Sequence, residues 1–358
     1  MKNESKFLLR CVGLASTRLG FCAPNPAVGC VIVKNNKIIA ESFHFGCGHP
    51  HAEVDALNKL NDEAQGATLY VSLEPCCHHG RTPPCTERIK KSGVKKVIFG
   101  LKDPNLIVAG KGQAELISAG IECESIELPE INNFYRSYSH WTKTKMPFVT
   151  AKLAMSADHK IALANKMPVK ISGKECDHLT HQYRKYSDAI MTTVETIIHD
   201  DPQLNARLDD SEIPKNIYIL DTHCRLPLNS KIFHSAKSIT VFHSINADLQ
   251  LIVQLENKGV RCIFSAKNNF GLDLKNCIEK IGADGVHHLW VESGSKCCNA
   301  FLKNSLLNQI ILYVSSKKLG DDAFPANIDI DTLLKNPNNF SKSTLGNDEV
   351  YVIDQNKN

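Results

Sequence analysis

Glu74-Pro-Cys-Cys-His-His-Gly-Arg-Thr-Pro-Pro-Cys85 carries the pattern that decides the fold of the first half of the chain. It follows the short apolar run 68–73, which reads as a strand, and leads into residues 84–92, which read as a helix stopped by Gly93. Turns from strand to helix are where α/β folds place their ligand sites. Upstream, His51-Ala52-Glu53 opens a second predicted helix over residues 51–60, with apolar positions at Ala52, Val54, Ala56, Leu57 and Leu60. Two residues apart at a helix start, His51 and Glu53 can line one pocket.

One His and two Cys make three soft or borderline metal ligands and leave a tetrahedral position for water, the arrangement of a catalytic zinc site. On this reading His51, Cys76 and Cys85 hold one zinc per chain. Zinc lowers the pKa of bound water from about 15.7 to about 7, which hydrolytic removal of a ring amine requires. Glu53, beside the metal without ligating it, then carries protons to a ring nitrogen and to the departing amine. A His-x-Glu with a Pro-Cys and a later Cys is the signature of zinc deaminases of bases. Cys77, His78 and His79 compete as ligands but rank lower. Cys76 follows the Pro that ends the strand, and Cys85 starts a helix whose dipole favours a thiolate.

Working outward, residues 4–17 form an amphipathic helix, and the prolines of Cys22-Ala-Pro-Asn25-Pro26-Ala-Val-Gly29 forbid regular helix after it. Asn35-Asn36 joins strands 30–33 and 37–41 as a hairpin. Strand 96–100, the turn Asp103-Pro104-Asn105 and helix 112–119 complete an α/β unit ending near residue 145. The stretch 135–147 has no linker composition. Alternation then restarts, with strands at 148–153, 189–192, 217–220, 238–242, 260–264, 288–291 and 309–314 and helices at 174–186 and 296–306. Two α/β domains are therefore expected, 1–145 and 146–358.

Composition sets outer bounds. With 358 residues, 42% hydrophobic and 22% charged, the chain has the make-up of a soluble two-domain protein. No run of about 18 apolar residues offers a membrane span, and the N-terminal stretch does not read as a signal peptide. A net charge of +4 and 7% aromatic residues do not suggest a nucleic-acid partner. The 14 scattered Cys favour a reducing cytosol with mostly free thiols over a disulfide scaffold.

Asn25-Pro-Ala-Val-Gly29, His51-Ala-Glu53 and the 74–85 stretch, with eight residues between its two ligand cysteines, closely resemble the bifunctional deaminase/reductase family of riboflavin biosynthesis. Nucleoside and tRNA deaminases usually carry a tighter Pro-Cys-x-x-Cys. Lys152-Leu-Ala154-Met-Ser156-Ala-Asp158, Thr196-Ile-Ile-His-Asp200-Asp-Pro202-Gln-Leu204-Asn-Ala-Arg207 and Trp290-Val-Glu292-Ser-Gly294 extend the likeness to about nine tenths of the chain.

The resemblance implies a cytidine-deaminase-like three-layer α/β/α domain and a dihydrofolate-reductase-like α/β domain. The first would deaminate a diamino-hydroxy-pyrimidine bearing a phosphoribosylamino group, with Asn25 and His78 in its pocket. The second would use NADPH to reduce the ribosyl group to ribityl, with Lys152 and Asp200 in the active site. Arg184, Leu204, Arg207 and Glu292 would bind substrate, the two arginines through bidentate contacts to its phosphate. Ala154, Lys170, Thr196, Asp200, Gly294 and Ser295 would bind the cofactor. Glu292-Ser-Gly294-Ser295 ahead of a helix also suits an anion on physical grounds. A cytoplasmic homodimer or larger assembly is implied.

Three departures weaken the second half, one being Met191-Thr-Thr193 in place of a more Gly/Ser-rich step. Asp158-His159 stands where the family often has Asp-Gly, and Gly more easily takes positive φ. Pro168-Val169-Lys170-Ile171-Ser172 lacks an aromatic residue commonly seen there. The rival readings are a nucleoside or nucleic-acid deaminase, a structural zinc module closed by a fourth ligand, and a chain whose reductase half is weak or only a scaffold.

Overall fold

The computed structural model describes residues 3–61, 64–80, 83–164, 169–268 and 271–355; Arg81, Thr82 and Pro168 of the quoted motifs lie outside them. The chain divides into two compact units, Met1–Lys145 and Met146–Asn358.

In the first unit, α1 (Asn3–Ser16) leads to the hairpin β1 (Gly29–Lys34) and β2 (Lys37–Phe43). Asn35 and Asn36 take φ of 51° and 59°, the left-handed values that the tight turn requires. Then follow α2 (Ala52–Asn58), β3 (Thr68–Leu73), α3 (Cys85–Lys91), β4 (Lys96–Leu101), α4 (Lys111–Ser118) and β5 (Glu122–Ser125). The sheet order is β2-β1-β3-β4-β5, antiparallel through β1 and parallel from β3 to β5.

Alternation along β1 explains the layers. Cys30 and Ile32 point to one core with Ala56 and Leu57 of α2 and Ile89 of α3. Val31 and Val33 point to the other, with Leu8 and Cys11 of α1. Stretch 129–144 is two further helices, α5 (Pro129–Phe134) and α6 (Arg136–Thr144), which bring Ile131, Tyr135 and Tyr138 to that second core. Helices cover both faces, the expected three-layer arrangement.

The second unit is built on one nine-stranded sheet. Its strands are β6 (Phe148–Met155), β7 (Ala189–Thr193), β8 (Asn216–Leu220), β9 (Ser238–His243), β10 (Arg261–Phe264), β11 (His288–Glu292), β12 (Gln309–Ser315), β13 (Phe340–Leu345) and β14 (Asp348–Asp354). The order is β10-β9-β8-β7-β11-β6-β12-β14-β13, parallel from β10 to β12 and antiparallel beyond.

Helices α7 (Lys174–Tyr186), α8 (Val194–Asp200) and α9 (Leu249–Asn257) supply Cys176, Ile197 and Leu255 to one core. Helices α10 (Leu274–Ala283) and α11 (Ser295–Lys303) supply Ile278 and Phe301 to the other. Burial on both faces explains why these strands read as continuous apolar runs. The helix expected at 296–306 starts at Ser295 and ends at Lys303, because Ser305 takes φ of 53°. Helices α8, α9 and α10 and the hairpin β13–β14 were not anticipated from the sequence.

Among the described residues no helix is long and apolar enough to cross a membrane.

Candidate active sites

His51 is the N-cap of α2 and Cys85 the first residue of α3, while Cys76 lies in the β3–α3 turn, three residues past Leu73 at the end of β3. The imidazole Nδ1 of His51 lies 3.4 Å from Cys76 Sγ and 3.3 Å from Cys85 Sγ. Ligands of a tetrahedral zinc, with Zn–S near 2.3 Å and Zn–N near 2.0–2.1 Å, stand about 3.5 Å apart as sulfur and nitrogen. The donor set and its spacing therefore fit zinc. Among the described residues these three form the one such group of His, Cys, Asp and Glu.

Hydrogen bonding from the Cys85 thiol and His51 pulls the Cys76 thiol down to about 4, and the Cys85 backbone N–H donates to Cys76 Sγ at 3.4 Å. The same interaction, with burial, pushes Cys85 up. The two sulfurs share one negative charge that a cation would allow both to carry.

Of the competing ligands, Cys77 stands outside the group, and burial raises its thiol. His78 lines the cavity, and His79 contacts Glu87 at 3.1 Å.

A cavity of about 350 Å³ opens over this group. His51, Glu53 and Cys76 line it together with Asn25, His44, His78, Asp103, Asn105, Tyr138 and Trp141. Glu53 is only 3% exposed, and burial raises its carboxyl. Asn25 is held by His44: its Nδ2 lies 3.0 Å from His44 Nε2, while His44 Nδ1 lies 3.0 Å from the Pro50 carbonyl. Only an Nδ1–H can donate to that carbonyl, so Nε2 accepts from the Asn25 amide. The amide oxygen is thereby left as Asn25's acceptor.

Glu74 is a pin for the far wall. Its Oε2 accepts from the backbone N–H of Asp103 (3.2 Å) and Gly110 (2.9 Å), and its Oε1 from that of Gln113 (3.2 Å). Asp103, pushed up to about 6 by burial, accepts from Tyr138 OH at 3.3 Å. The sequence showed Asp103 and Asn105 only as a turn and gave no sign of His44, Tyr138 or Trp141. Their signal is proximity across the fold.

In the second unit, parallel register sets Lys152 of β6 beside Glu292 of β11. Lys152 is enclosed, its ammonium lowered by burial, with Nζ 5.4 Å from the Tyr313 ring centre. Arg184 is paired with an acid of the same unit. Its Nε and Nη2 donate to the two Glu292 oxygens at 2.5 and 2.8 Å, and Nη1 donates to the Asn205 carbonyl at 3.0 Å. Three of its five N–H donors are taken by these contacts, which leaves one on each of Nη1 and Nη2. Glu292 is likewise filled by Arg184 and by Trp290 Nε1 at 2.7 Å.

The Leu204 side chain lies in the core, 1% exposed, on a backbone with φ of 51°. Only its main chain is free to meet a substrate. Arg207 is exposed, with Nη1 on Gln203 and Asn205. Lys170 pairs with Asp177 at 2.6 Å, and Ala154 sits in β6 facing Tyr313 of β12.

Thr196 and Asp200 lie on α8, where Thr193 caps the Thr196 N–H. Gly294 is the N-cap of α11 with no side-chain cap, in open space, and Ser295 behind it is 5% exposed. The uncapped N–H groups of α11 follow β11 at the carboxyl end of the parallel strands, a place suited to a cofactor phosphate. His159 takes φ of 58°, the conformation for which glycine is the easier residue.

Both units are similar to known proteins. Residues 1–101 match the family model described as the cytidine and deoxycytidylate deaminase zinc-binding region, and residues 147–345 match the RibD C-terminal domain. The riboflavin biosynthesis protein RibD of Actinobacillus pleuropneumoniae is 38% identical over 316 residues, 88% of this chain and 84% of that protein. That of Aquifex aeolicus is 35% identical, over 89% and 88%. The structure of Acinetobacter baumannii RibD superposes with a TM-score of 0.85 at 32% identity, covering 99% of each chain. A Thermotoga maritima diaminohydroxyphosphoribosylaminopyrimidine deaminase/5-amino-6-(5-phosphoribosylamino)uracil reductase gives 0.82 at 29%, covering 98% of each.

Proposed function

From the premise that this chain belongs to the bifunctional deaminase/reductase family of riboflavin biosynthesis, we propose a division of labour between its residues. The unit 1–145 deaminates, and the unit 146–358 reduces. The observation that carries the first assignment is the spacing of His51, Cys76 and Cys85, three donors at zinc-ligand separations beside a buried carboxylate.

When bound, zinc supplies the Lewis acidity that makes water a nucleophile near neutral pH. Glu53 takes the proton of the attacking water, passes it to the adjacent ring nitrogen, and delivers a second to the amine that leaves as ammonia. Its raised affinity for protons suits a group that must both accept and return them. Asn25, oriented by His44, accepts a hydrogen bond from the pyrimidine edge, and His78 stands at the cavity rim.

In the second unit NADPH supplies the hydride that converts ribosyl to ribityl. Gly294 and the N–H groups of α11 receive a cofactor phosphate, with Thr196, Asp200, Ala154, Lys170 and Ser295 around the same site. Lys152 faces the reacting sugar and gives it a proton. Arg207, with the remaining Arg184 N–H groups, meets the substrate phosphate, beside Glu292 and the Leu204 main chain. We place the enzyme in the cytosol as a homodimer or larger assembly, as the family resemblance and the scattered thiols suggest.

Metal analysis tests the first assignment. The purified protein should carry about one zinc per chain, the content of one tetrahedral site. Full deamination by metal-free protein overturns it.

A further inference from the structure

Helix α6 reads in the sequence as a stretch between domains, yet it forms a wall of the deaminase cavity through Tyr138 and Trp141. Residues three apart on a helix share a face. Along that face burial falls outward. Tyr138 is 8% exposed and tied to Asp103; Trp141 is partly buried, stacked on Tyr138 with ring centres 6.4 Å apart; Lys145, at the helix end, is exposed with Nζ 5.0 Å from the Trp141 ring centre.

The inner part of the cavity, with Glu53, Asn25 and His44, is polar and matches the edges of an aminopyrimidine. The outer part has a broad indole face followed by a cation. A ring carrying a sugar and then a phosphate has the same order of chemistry: polar heterocycle, a sugar with an apolar face, a dianion. Trp can cover such a surface at little conformational cost, since it has few rotors to fix.

We propose that Trp141 is a specificity-determining residue of the deaminase, the wall against which the phosphoribosyl arm of the substrate lies. The proposal rests on the deaminase reading of the first unit. Trp141 touches the arm and not the reacting carbon, so it acts in binding. Lys145 stands next along the path of the phosphate.

The sequence contains only two tryptophans, and the other, Trp290, is fully buried in the second unit. Trp290 donates to Glu292 in the second unit, so the Trp141 contribution is the difference between the wild type and Trp141→Phe. The full-length protein, loaded with zinc, is assayed for deamination of the phosphoribosylamino-pyrimidine and of the same aminopyrimidine without its sugar phosphate. Trp141→Ala should raise KM for the first by about tenfold, leave kcat within about twofold and leave the second substrate unaffected, with Trp141→Phe recovering most of the loss. Titration with the deaminated phosphoribosylamino product should change the fluorescence of the wild type by more than that of Trp141→Phe, whose remaining change comes from Trp290; equal changes in the two proteins would count against Trp141 touching the arm.

Equal effects on both substrates, or no effect on either, would overturn the proposal while leaving the deaminase reading intact. A wild type that responds in fluorescence but never releases ammonia would overturn the deaminase reading instead. An unchanged zinc content in each variant excludes simple misfolding of the site.

Discussion

Arg184 and Glu292 meet prong to prong across the second unit, with Nε to Oε1 at 2.5 Å and Nη2 to Oε2 at 2.8 Å. Their side chains are 11% and 14% exposed, so each charge depends on the other for what water no longer supplies. This pairing fixes the Arg184 guanidinium in the site and holds Glu292 beside Lys152.

Breaking that pair from one side leaves an uncompensated buried charge. Arg184→Met is expected to destabilise the protein by about 3–5 kcal/mol, measured by denaturant unfolding at neutral pH. A loss under about 1 kcal/mol would show that water reaches Glu292.

The same pair sets a dependence on acid. Arg184 outweighs the cost of burial and holds the Glu292 carboxyl at about 2, below the ordinary glutamate value of about 4.3. The unfolded chain therefore binds the proton first. The contribution is present above about pH 4.3 and is lost as pH falls towards 2. Glu292→Gln should flatten that part of the stability curve, and an unchanged acid limb would count against the pair.

Lys215 gives the opposite test at alkaline pH. It is 2% exposed, donates to the Lys185 carbonyl at 3.2 Å, and is lowered by burial to about 8. Between pH 8 and about 10.4 the unfolded chain binds the proton that the folded chain has released, so stability rises with pH across that window. The rise amounts to roughly 3 kcal/mol for a shift of this size. Lys215→Met should remove this slope, as read by the difference between the two melting curves.

Glu53→Gln keeps the shape of the cavity and removes the group that moves protons. Deamination should fall by about 10²–10⁴-fold, with zinc retained and reduction of the deaminated substrate unchanged. Activity near wild type would remove Glu53 from its role.

Gly112, on α4, touches the turn that carries Cys76. A Cβ there would lie 2.1 Å from the Pro75 carbonyl oxygen. Gly112→Ala should cost about 1–3 kcal/mol through this overlap and weaken zinc retention, seen in thermal unfolding and metal content. Normal zinc retention would show that the turn can yield without moving Cys76.

Reading the sequence located the metal donors because their chemistry is local. His51 and Glu53 share a helix start, and Cys76 and Cys85 bound one turn between a strand and a helix. The strands of the second unit were legible for the same reason, since burial on both faces writes a continuous apolar run. The cavity wall was not legible. His44 orients Asn25, Glu74 pins the backbone of residues 103–113, and Tyr138 and Trp141 arrive from a helix more than 80 residues beyond His51, so no periodicity or spacing links them.

Arg184 shows the limit most clearly. Its residue type suited a phosphate, but which acid it faces depends on β11 lying next to β6 and on α7 packing over both. Sequence by itself determined the chemistry each segment can perform. Tertiary structure alone decided which charges are buried together, because desolvation and pairing act through space and not along the chain.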